Sequence, residues 1–185
     1  TVEGAQAGAP VGAITLSGGG ESLTVYGTDA NGDPDNVNTS GAIGIGNNNL
    51  DPGETLVFSN ENPMTSLSIS TFNSGSGGIV TLVYRDENGD IIAGSTQENI
   101  SVSPGDTLAA GLDGQNFYSV EVTVTDGNAI KLNLDQLAIT FAPDDFSEQL
   151  NATIVDGDGD YSNTVSFTVN VDANNDGLIT LPEGV

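Results

Sequence analysis

The 185-residue sequence has no cysteine, no histidine and no tryptophan. Without cysteine no disulfide can link the loops, so a secreted domain of this size needs another interaction to stabilise them. Without histidine or cysteine, Ser-His and Cys-His catalysis are impossible. A carboxylate pair for glycoside hydrolysis is compatible with the count of acidic residues, but nearly every aspartate lies in a loop that metal binding explains better. We therefore expect no enzymatic activity, and the lack of tryptophan disfavours a flat stacking lectin site.

Positive charge is almost absent, because Arg85 and Lys131 are the only basic residues. Phosphate backbones and anionic membrane surfaces are bound by many Lys and Arg side chains, so nucleic acid and such membranes are excluded as partners. The sequence also lacks an apolar run of the ~18–20 residues that span a bilayer, so we expect no direct membrane insertion.

Negative charge is abundant: 26 Asp and Glu residues give a formal net charge of −24. A chain this acidic repels itself unless something neutralises it. One explanation is halophilic or marine solubility, or partial disorder. Many regular β-branched runs argue against disorder for the whole chain. We favour several bound divalent cations, with extracellular calcium replacing disulfides as the stabilising interaction.

Short alternating segments separated by turns predict an all-β fold, a calcium-stabilised β-sandwich or jelly roll with long acidic loops. Val120, Val122 and Val124 should share one face of a strand. Asn88-Gly89 predicts a hairpin tip, and residues 144–151 suggest at most one helical turn. The predicted strands are Ala13–Ser17, Ser22–Gly27, Glu54–Ser59, Met64–Thr71, Ile79–Arg85, Ile91–Thr96, Thr107–Ala110, Ser119–Asp126, Lys131–Ala142, Ala152–Asp156 and Thr164–Val171.

The chain is expected to divide near Ala142–Asp144. We predict a ligand-binding sandwich over residues 1–171, in which 144–171 add to the main body or lead into a following domain, and we favour the first. Two strands cannot stand alone. Residues 172–185 are predicted to be a calcium-binding linker to another domain. The start Thr-Val-Glu suggests a piece of a longer polypeptide.

The best-defined metal motif is the C-terminal loop from Asp172 to Glu183. Its oxygen ligands at positions 1, 3 and 5, glycine at 6 and glutamate at 12 reproduce the EF-hand spacing, which converges alternate side chains on one ion. A strand precedes the loop and no helix follows, so it is EF-like or dockerin-like without an EF-hand pair; the alternative is a solvated linker. The predicted ligands are Asp172, Asn174, Asp176, the Leu178 carbonyl and Glu183.

Two further loops place carboxylates on alternate residues, which is costly unless a cation lies among them. One holds Asp156, Asp158 and Asp160, and its alternative is a Gly-rich turn. The other is predicted to bind through Asp29, Asn31, Asp33 and Asp35. The run Asp86–Asp90 is weaker, because a plain hairpin explains it.

Two amide-rich loops are candidates for ligand binding. Asn side chains both donate and accept hydrogen bonds, which suits sugar hydroxyls or a peptide main chain, and Gly44 and Gly46 permit close approach to the backbone. A loop that merely caps a sandwich edge is the alternative. The candidate residues are Gly44, Gly46, Asn47, Asn48, Asn49 and Asp51 in one loop and Gln115, Asn116 and Tyr118 in the other.

The run Val155–Asp160, followed by Thr164–Val171, resembles modules of the giant repeats-in-toxin (RTX) adhesins of bacteria, which end in such a turn, a Val/Thr strand and an acidic linker. The segments Ala42–Asn47, Leu50–Leu56 and Val80–Asp90 resemble their distal ligand-binding domains, most closely the calcium-dependent peptide-binding domain. The resemblance implies a secreted, cell-surface biofilm module with calcium at or beside its ligand site. No motif carries over individual ligand contacts.

The leading expectation is therefore a calcium-dependent adhesin module that binds a peptide or glycan on another cell or surface. A calcium-rigidified spacer of the adhesin stalk is the first alternative, although a spacer needs no Asn47–Asn49 patch. A carbohydrate-binding module of a secreted glycosidase is the second. Neighbouring domains of the same chain are the other expected partners.

Overall fold

The computed structural model describes residues 2–3, 12–18, 21–153, 155 and 157–173. These residues form antiparallel β-structure without a helix, so none of them belongs to a helix that could cross a membrane. The strands are β1 Val2–Glu3, β2 Ile14–Gly18, β3 Glu21–Thr28, β4 Pro34–Asp35, β5 Val37–Asn38, β6 Gly44–Ile45, β7 Thr55–Thr71, β8 Gly78–Arg85, β9 Gln97–Val102, β10 Thr107–Gly111, β11 Phe117–Gly127, β12 Leu132–Phe141, β13 Phe146–Ala152 and β14 Val165–Val171.

The chain divides into two compact units, which we call the body (Thr1–Phe141) and the tail (Ala142–Val185). The sequence had suggested a division at Ala142–Asp144. Whether residues 144–171 extend the main sandwich, and whether 172–185 link to another domain, stay predictions.

The body is organised around the long strand β7. The main sheet has the order β1-β2-β3-β7-β11-β8-β9, β4 pairs with β3, and both β10 and β12 also pair with β7. The first part of β7, Thr55–Ser59, pairs with β3 and β11, whereas the part from Ser66 to Thr71 pairs with β10 and β12. Met64, between them, pairs with both β11 and β12. One strand thus contributes to two sets of partners, and the arrangement is consistent with a β-sandwich.

The core of the body comes from the inward positions of these strands. Val120, Val122 and Val124 are fully buried, which confirms the predicted alternation along β11. Phe58, Tyr84 and Phe117 are the largest buried side chains, and the rings of the last two meet edge to face with centroids 5.1 Å apart. Aromatic pairs favour this geometry, because the positive ring edge faces the negative ring face.

Two strand predictions in the body need correction. The predicted strands Glu54–Ser59 and Met64–Thr71 are one strand, β7, because the chain passes Pro63 without leaving the sheet. The predicted strand Ile91–Thr96 is wrong: a turn there has Gly94 at φ 75° and a hydrogen bond from Ser95 N to Ile92 O, so β9 begins only at Gln97. The predicted hairpin tip is present, with Gly89 at φ 81° and a bond from Asp86 N to Asp90 O.

In the tail, β13 and β14 form a two-stranded antiparallel sheet. The predicted helical turn at 144–151 is wrong, because the segment from Phe146 to Ala152 pairs residue by residue with β14. The predicted strand Ala152–Asp156 lies partly outside the described residues; within it, Val155 bridges to Tyr161.

Candidate functional site

The predicted metal loop at Asp29–Asp35 connects β3 to β4 and is held by its own first aspartate. Asp29 Oδ1 accepts hydrogen bonds from Asn31 N at 2.8 Å and Asp33 N at 3.0 Å. These backbone donors lower the pKa of Asp29. The Asp29 carboxylate therefore remains charged and shapes the turn, as aspartate does in many turns without a metal.

The predicted ligand loop from Gly44 to Asp51 precedes β7 and is built from amide contacts. Asn49 N donates to Asn47 Oδ1 at 2.6 Å, and Asn47 Nδ2 donates to Asp51 Oδ2 at 2.9 Å. Gly44 is buried, and a Cβ there would overlap the backbone of Asn49. Gly46 and Asn47 are exposed, while Asn48 and Asn49 are half-buried, so the loop presents polar groups on a close-packed base.

These two loops lie side by side. Gly46 N donates to Asn36 O at 2.8 Å, and a Cβ on Gly46 would lie 3.0 Å from Asp35 Oδ2. Likewise a Cβ on Gly53 would lie 2.9 Å from the Ala30 side chain. The pairing of β3 with β7 causes this, because it brings Thr28 opposite Thr55 and so places the loop after one beside the loop before the other. We call residues 29–35 together with 44–54 the acidic end of the body.

Carboxylates from both loops of the acidic end act on the pKa of Glu54. Partial burial, followed by the neighbouring charges of Asp51, Asp35 and Asp29, raises the pKa of Glu54, although a hydrogen bond from Asp51 N to Glu54 Oε2 opposes this. Neither basic residue relieves the repulsion: Arg85 pairs with Glu121, and the Lys131 ammonium lies 5.3 Å from the centroid of the Phe72 ring. The acidic end thus concentrates negative charge that the described protein side chains leave uncompensated.

The donor set suits a hard cation such as calcium, which takes six to eight oxygen ligands including carboxylates, amide carbonyls and water. Within the described part of the chain, no three His, Cys, Asp or Glu side chains are grouped closely enough to hold a metal ion by themselves. A cation here would need further oxygens from Asn side chains, main-chain carbonyls, water or a ligand. Calcium at Asp29, Asn31, Asp33 and Asp35 stays a prediction.

The two predicted metal loops of the tail are only partly described. Asp158 and Asp160 flank Gly159, which has φ 95°. Asp172 follows β14, and the next residue, Ala173, donates its N–H to Asp145 Oδ1 at 2.9 Å. Asp145 is buried, and no sequence pattern had singled it out. The other predicted ligands, Asp156, Asn174, Asp176, Leu178 and Glu183, lie outside the described residues.

The second predicted ligand loop lies at the opposite end of the body. Gln115 and Asn116 immediately precede β11, and Tyr118 is its second residue. Val124, near the other end of the strand, donates its N–H to Glu54 O of the acidic end. Six residues of strand span about 20 Å. The two groups of candidate ligand residues therefore form two surfaces, not one.

Beside Tyr118 is an open cleft of about 690 Å³, which we call the polar cleft. Sequence reasoning did not predict most of its lining, because the residues come from separate strands that only the sheet register brings together. Its lining includes Tyr26, Ser59, Glu61, Arg85, Glu87 and Tyr118.

No family model, curated protein or solved structure matches the chain.

Proposed function

We propose that the chain is a calcium-dependent adhesin module of the RTX type, presented outside a bacterial cell, whose acidic end binds calcium and a peptide or glycan ligand. The observation that supports this most is the meeting of two loops that were predicted separately, one for metal and one for ligand. A calcium ion between them would receive ligands from both.

The acidic end supplies too few carboxylate oxygens to fill the coordination shell of a calcium ion, so a ligand could supply the rest. Calcium would supply a positive centre that neutralises Asp35, Asp51 and Glu54, and open coordination positions would accept a ligand carboxylate or a pair of hydroxyls. Asn47 is exposed beside these carboxylates and can hydrogen-bond the same ligand. In this proposal the chain's residues bind and orient the ligand and catalyse no reaction.

Calcium in the EF-like loop starting at Asp172, and in the loop of Asp158 and Asp160, forms the second part of the proposal. There the ions would order the tail and its junction with neighbouring domains of the same chain. The hydrogen bond between Ala173 and the buried Asp145 supports an ordered start to the EF-like loop.

The first test measures melting by calorimetry in a calcium titration and in excess chelator. Ligand binding to the folded state raises stability by about 2.7 kcal/mol at a hundredfold excess over Kd. The variant Asp35→Asn with Asp51→Asn keeps hydrogen-bond acceptors but removes two charges, so we expect it to lose much of this calcium response.

The matched control is Asp113→Asn with Asp126→Asn, which removes the same charge from exposed positions outside the acidic end. It should retain the full response. If chelator leaves the melting of the native protein unchanged, the calcium proposal is wrong. If both double variants respond alike, calcium does not bind at the acidic end.

The second test is a peptide and glycan array probed with and without calcium. An adhesin module would be supported by array hits that require calcium and that the Asp35→Asn, Asp51→Asn variant no longer binds. A calcium response in melting without any calcium-dependent hit would favour the stalk spacer instead. Selective retention of a plant or algal polysaccharide would favour a carbohydrate-binding module of a secreted glycosidase.

A further inference from the structure

The polar cleft is built on a rigid floor. Thr24, Ser59, Ser119 and Arg85 stand opposite one another across four adjacent strands, and the next row of the same face carries Tyr26, Val57, Glu121 and Val83. Groups carried by paired strands hold their spacing better than groups on loops. The paired strands therefore fix the Ser59 and Ser119 hydroxyls, the Arg85 guanidinium and the Tyr26 ring of the lining. The turn after β8 adds the carboxylates of Asp86 and Glu87.

Arg85 is held in one orientation at this floor. Its Nε donates to Glu121 Oε1 at 2.6 Å and its Nη1 donates to Gly89 O at 2.9 Å. This bond to the Glu121 carboxylate raises the pKa of Arg85, which stays charged. Nη2 makes no hydrogen bond to a described residue, and the Arg85 side chain is 31% exposed. Its remaining donors are thus preorganised for a ligand.

The two tyrosines complete the recognition chemistry. Burial, and then the charge of Glu121, raises the pKa of Tyr26, so its hydroxyl stays neutral and can both donate and accept. Tyr118 lies in the same lining. Aromatic faces combined with planar donors and acceptors suit the sugar ring, which has apolar C–H faces and a rim of hydroxyls.

The charges of the lining narrow the ligand class. The carboxylates of the lining, Glu61, Asp86 and Glu87, outnumber Arg85, whose charge is also shared with Glu121. A uronic acid, a sulfated sugar or a phosphate would therefore be repelled. A protonated amine would be repelled by the positive charge of the Arg85 guanidinium. A neutral polyol satisfies carboxylates and guanidinium together, since each hydroxyl both donates and accepts.

We propose that the polar cleft is a binding site for neutral saccharides that operates without metal. The inference does not depend on calcium at the acidic end, which lies at the other end of β11. A single chain would then carry two recognition surfaces of different chemistry.

The test is an array of neutral mono- and oligosaccharides of glucose, galactose, mannose, fucose and N-acetylglucosamine, probed in excess EDTA. Affinity of the best hits is then measured by titration calorimetry. We expect binding that persists in EDTA and that weakens at least about tenfold in Tyr118→Ala and in Arg85→Met. Circular dichroism checks that each variant is folded.

Tyr161→Ala is the matched control, because Tyr161 is 77% exposed in the tail; it should bind as the native protein does. The Asp35→Asn, Asp51→Asn variant should also bind normally, which separates this proposal from the calcium proposal. The inference is overturned if no neutral saccharide is retained in EDTA, if only anionic sugars or lysine-rich peptides bind, or if folded Tyr118→Ala and Arg85→Met keep full affinity.

Discussion

The body and the tail are both antiparallel sheets whose apolar side chains alternate, yet they differ in what happens to the apolar face. In the body, Phe58 and Phe117 are completely buried. In the tail, Phe146 is 50% exposed and Phe167 48% exposed. The register places Phe146, Leu150, Phe167 and Val169 on one face of the tail sheet, with polar residues on the other. Alternation thus specifies which face is apolar, whereas partner strands decide whether it is covered.

The largest expected contrast is between two phenylalanines. Phe117→Ala should lower the free energy of unfolding of the body by about 3–5 kcal/mol, since it leaves a cavity beside Tyr84. Phe167→Ala should cost no more than about 1 kcal/mol, the scale of one cross-strand pair with Leu150. Urea unfolding followed by circular dichroism measures both. Equal losses would mean that the tail face is covered as completely as the body core.

A smaller contrast concerns two glycines. A methyl group on Gly27 would overlap the Thr55 carbonyl oxygen and the Ile45 side chain, so Gly27→Ala should destabilise the body by about 1–3 kcal/mol. Gly157 in the tail has nothing within 4 Å of an added Cβ. Gly157→Ala should therefore change stability by about 0.5 kcal/mol or less. Thermal melting compares the two, and a silent Gly27→Ala would contradict the close approach of β3 to β7.

The smallest contrast is electrostatic. The pKa of Glu54 is higher in the folded body than in the unfolded chain, so the folded state holds that proton more firmly. The free energy of unfolding should then fall as pH rises from the ordinary glutamate pKa through the raised one. Without calcium, Glu54→Gln should remove this fall and stabilise the body at pH 7 by less than about 1 kcal/mol, because solvent screens the charges.

The control for this prediction is Glu148→Gln on the exposed surface of the tail. Melting temperatures measured from acid to neutral pH in EDTA should differ from the native profile for Glu54→Gln and match it for Glu148→Gln. In calcium the effect of Glu54→Gln should reverse, because the carboxylate would then face a cation. Identical profiles for Glu54→Gln and the native protein would show that burial and the neighbouring carboxylates do not raise the pKa of Glu54.

Much of the strand content of the body was predictable, because periodicity of two is a local property. Segments such as Ser119–Asp126 and Ile79–Arg85 were recognised to within one or two residues of β11 and β8. The continuity of β7 was not, since a proline in the middle of an alternating segment resembles an interruption. The strand predicted to begin at Ile91 was wrong because an apolar residue was taken as a sign of a strand, whereas Ile91 is 54% exposed beside a hairpin turn.

The candidate sites were predictable only as separate loops. Composition identified Asp29–Asp35 and Gly44–Asp51, but their adjacency comes from the pairing of Thr28 with Thr55, which lies 27 positions away along the chain. The polar cleft was largely missed for the same reason. Its residues Tyr26, Arg85 and Tyr118 come from three strands, and no local pattern reveals a register across them.

The strand β7 has a consequence for the order in which the chain can fold. Its second part is flanked by β10 and β12, and β12 ends at Phe141, the last residue of the body. Contacts this distant along the chain must wait for the closure of long loops, which slows folding. During synthesis the body cannot complete its pairing until Phe141 has left the ribosome. Until then the apolar positions Leu67 and Ile69 would lack one of their neighbouring strands. An incomplete sheet of this kind exposes apolar surface and strand edges to aggregation.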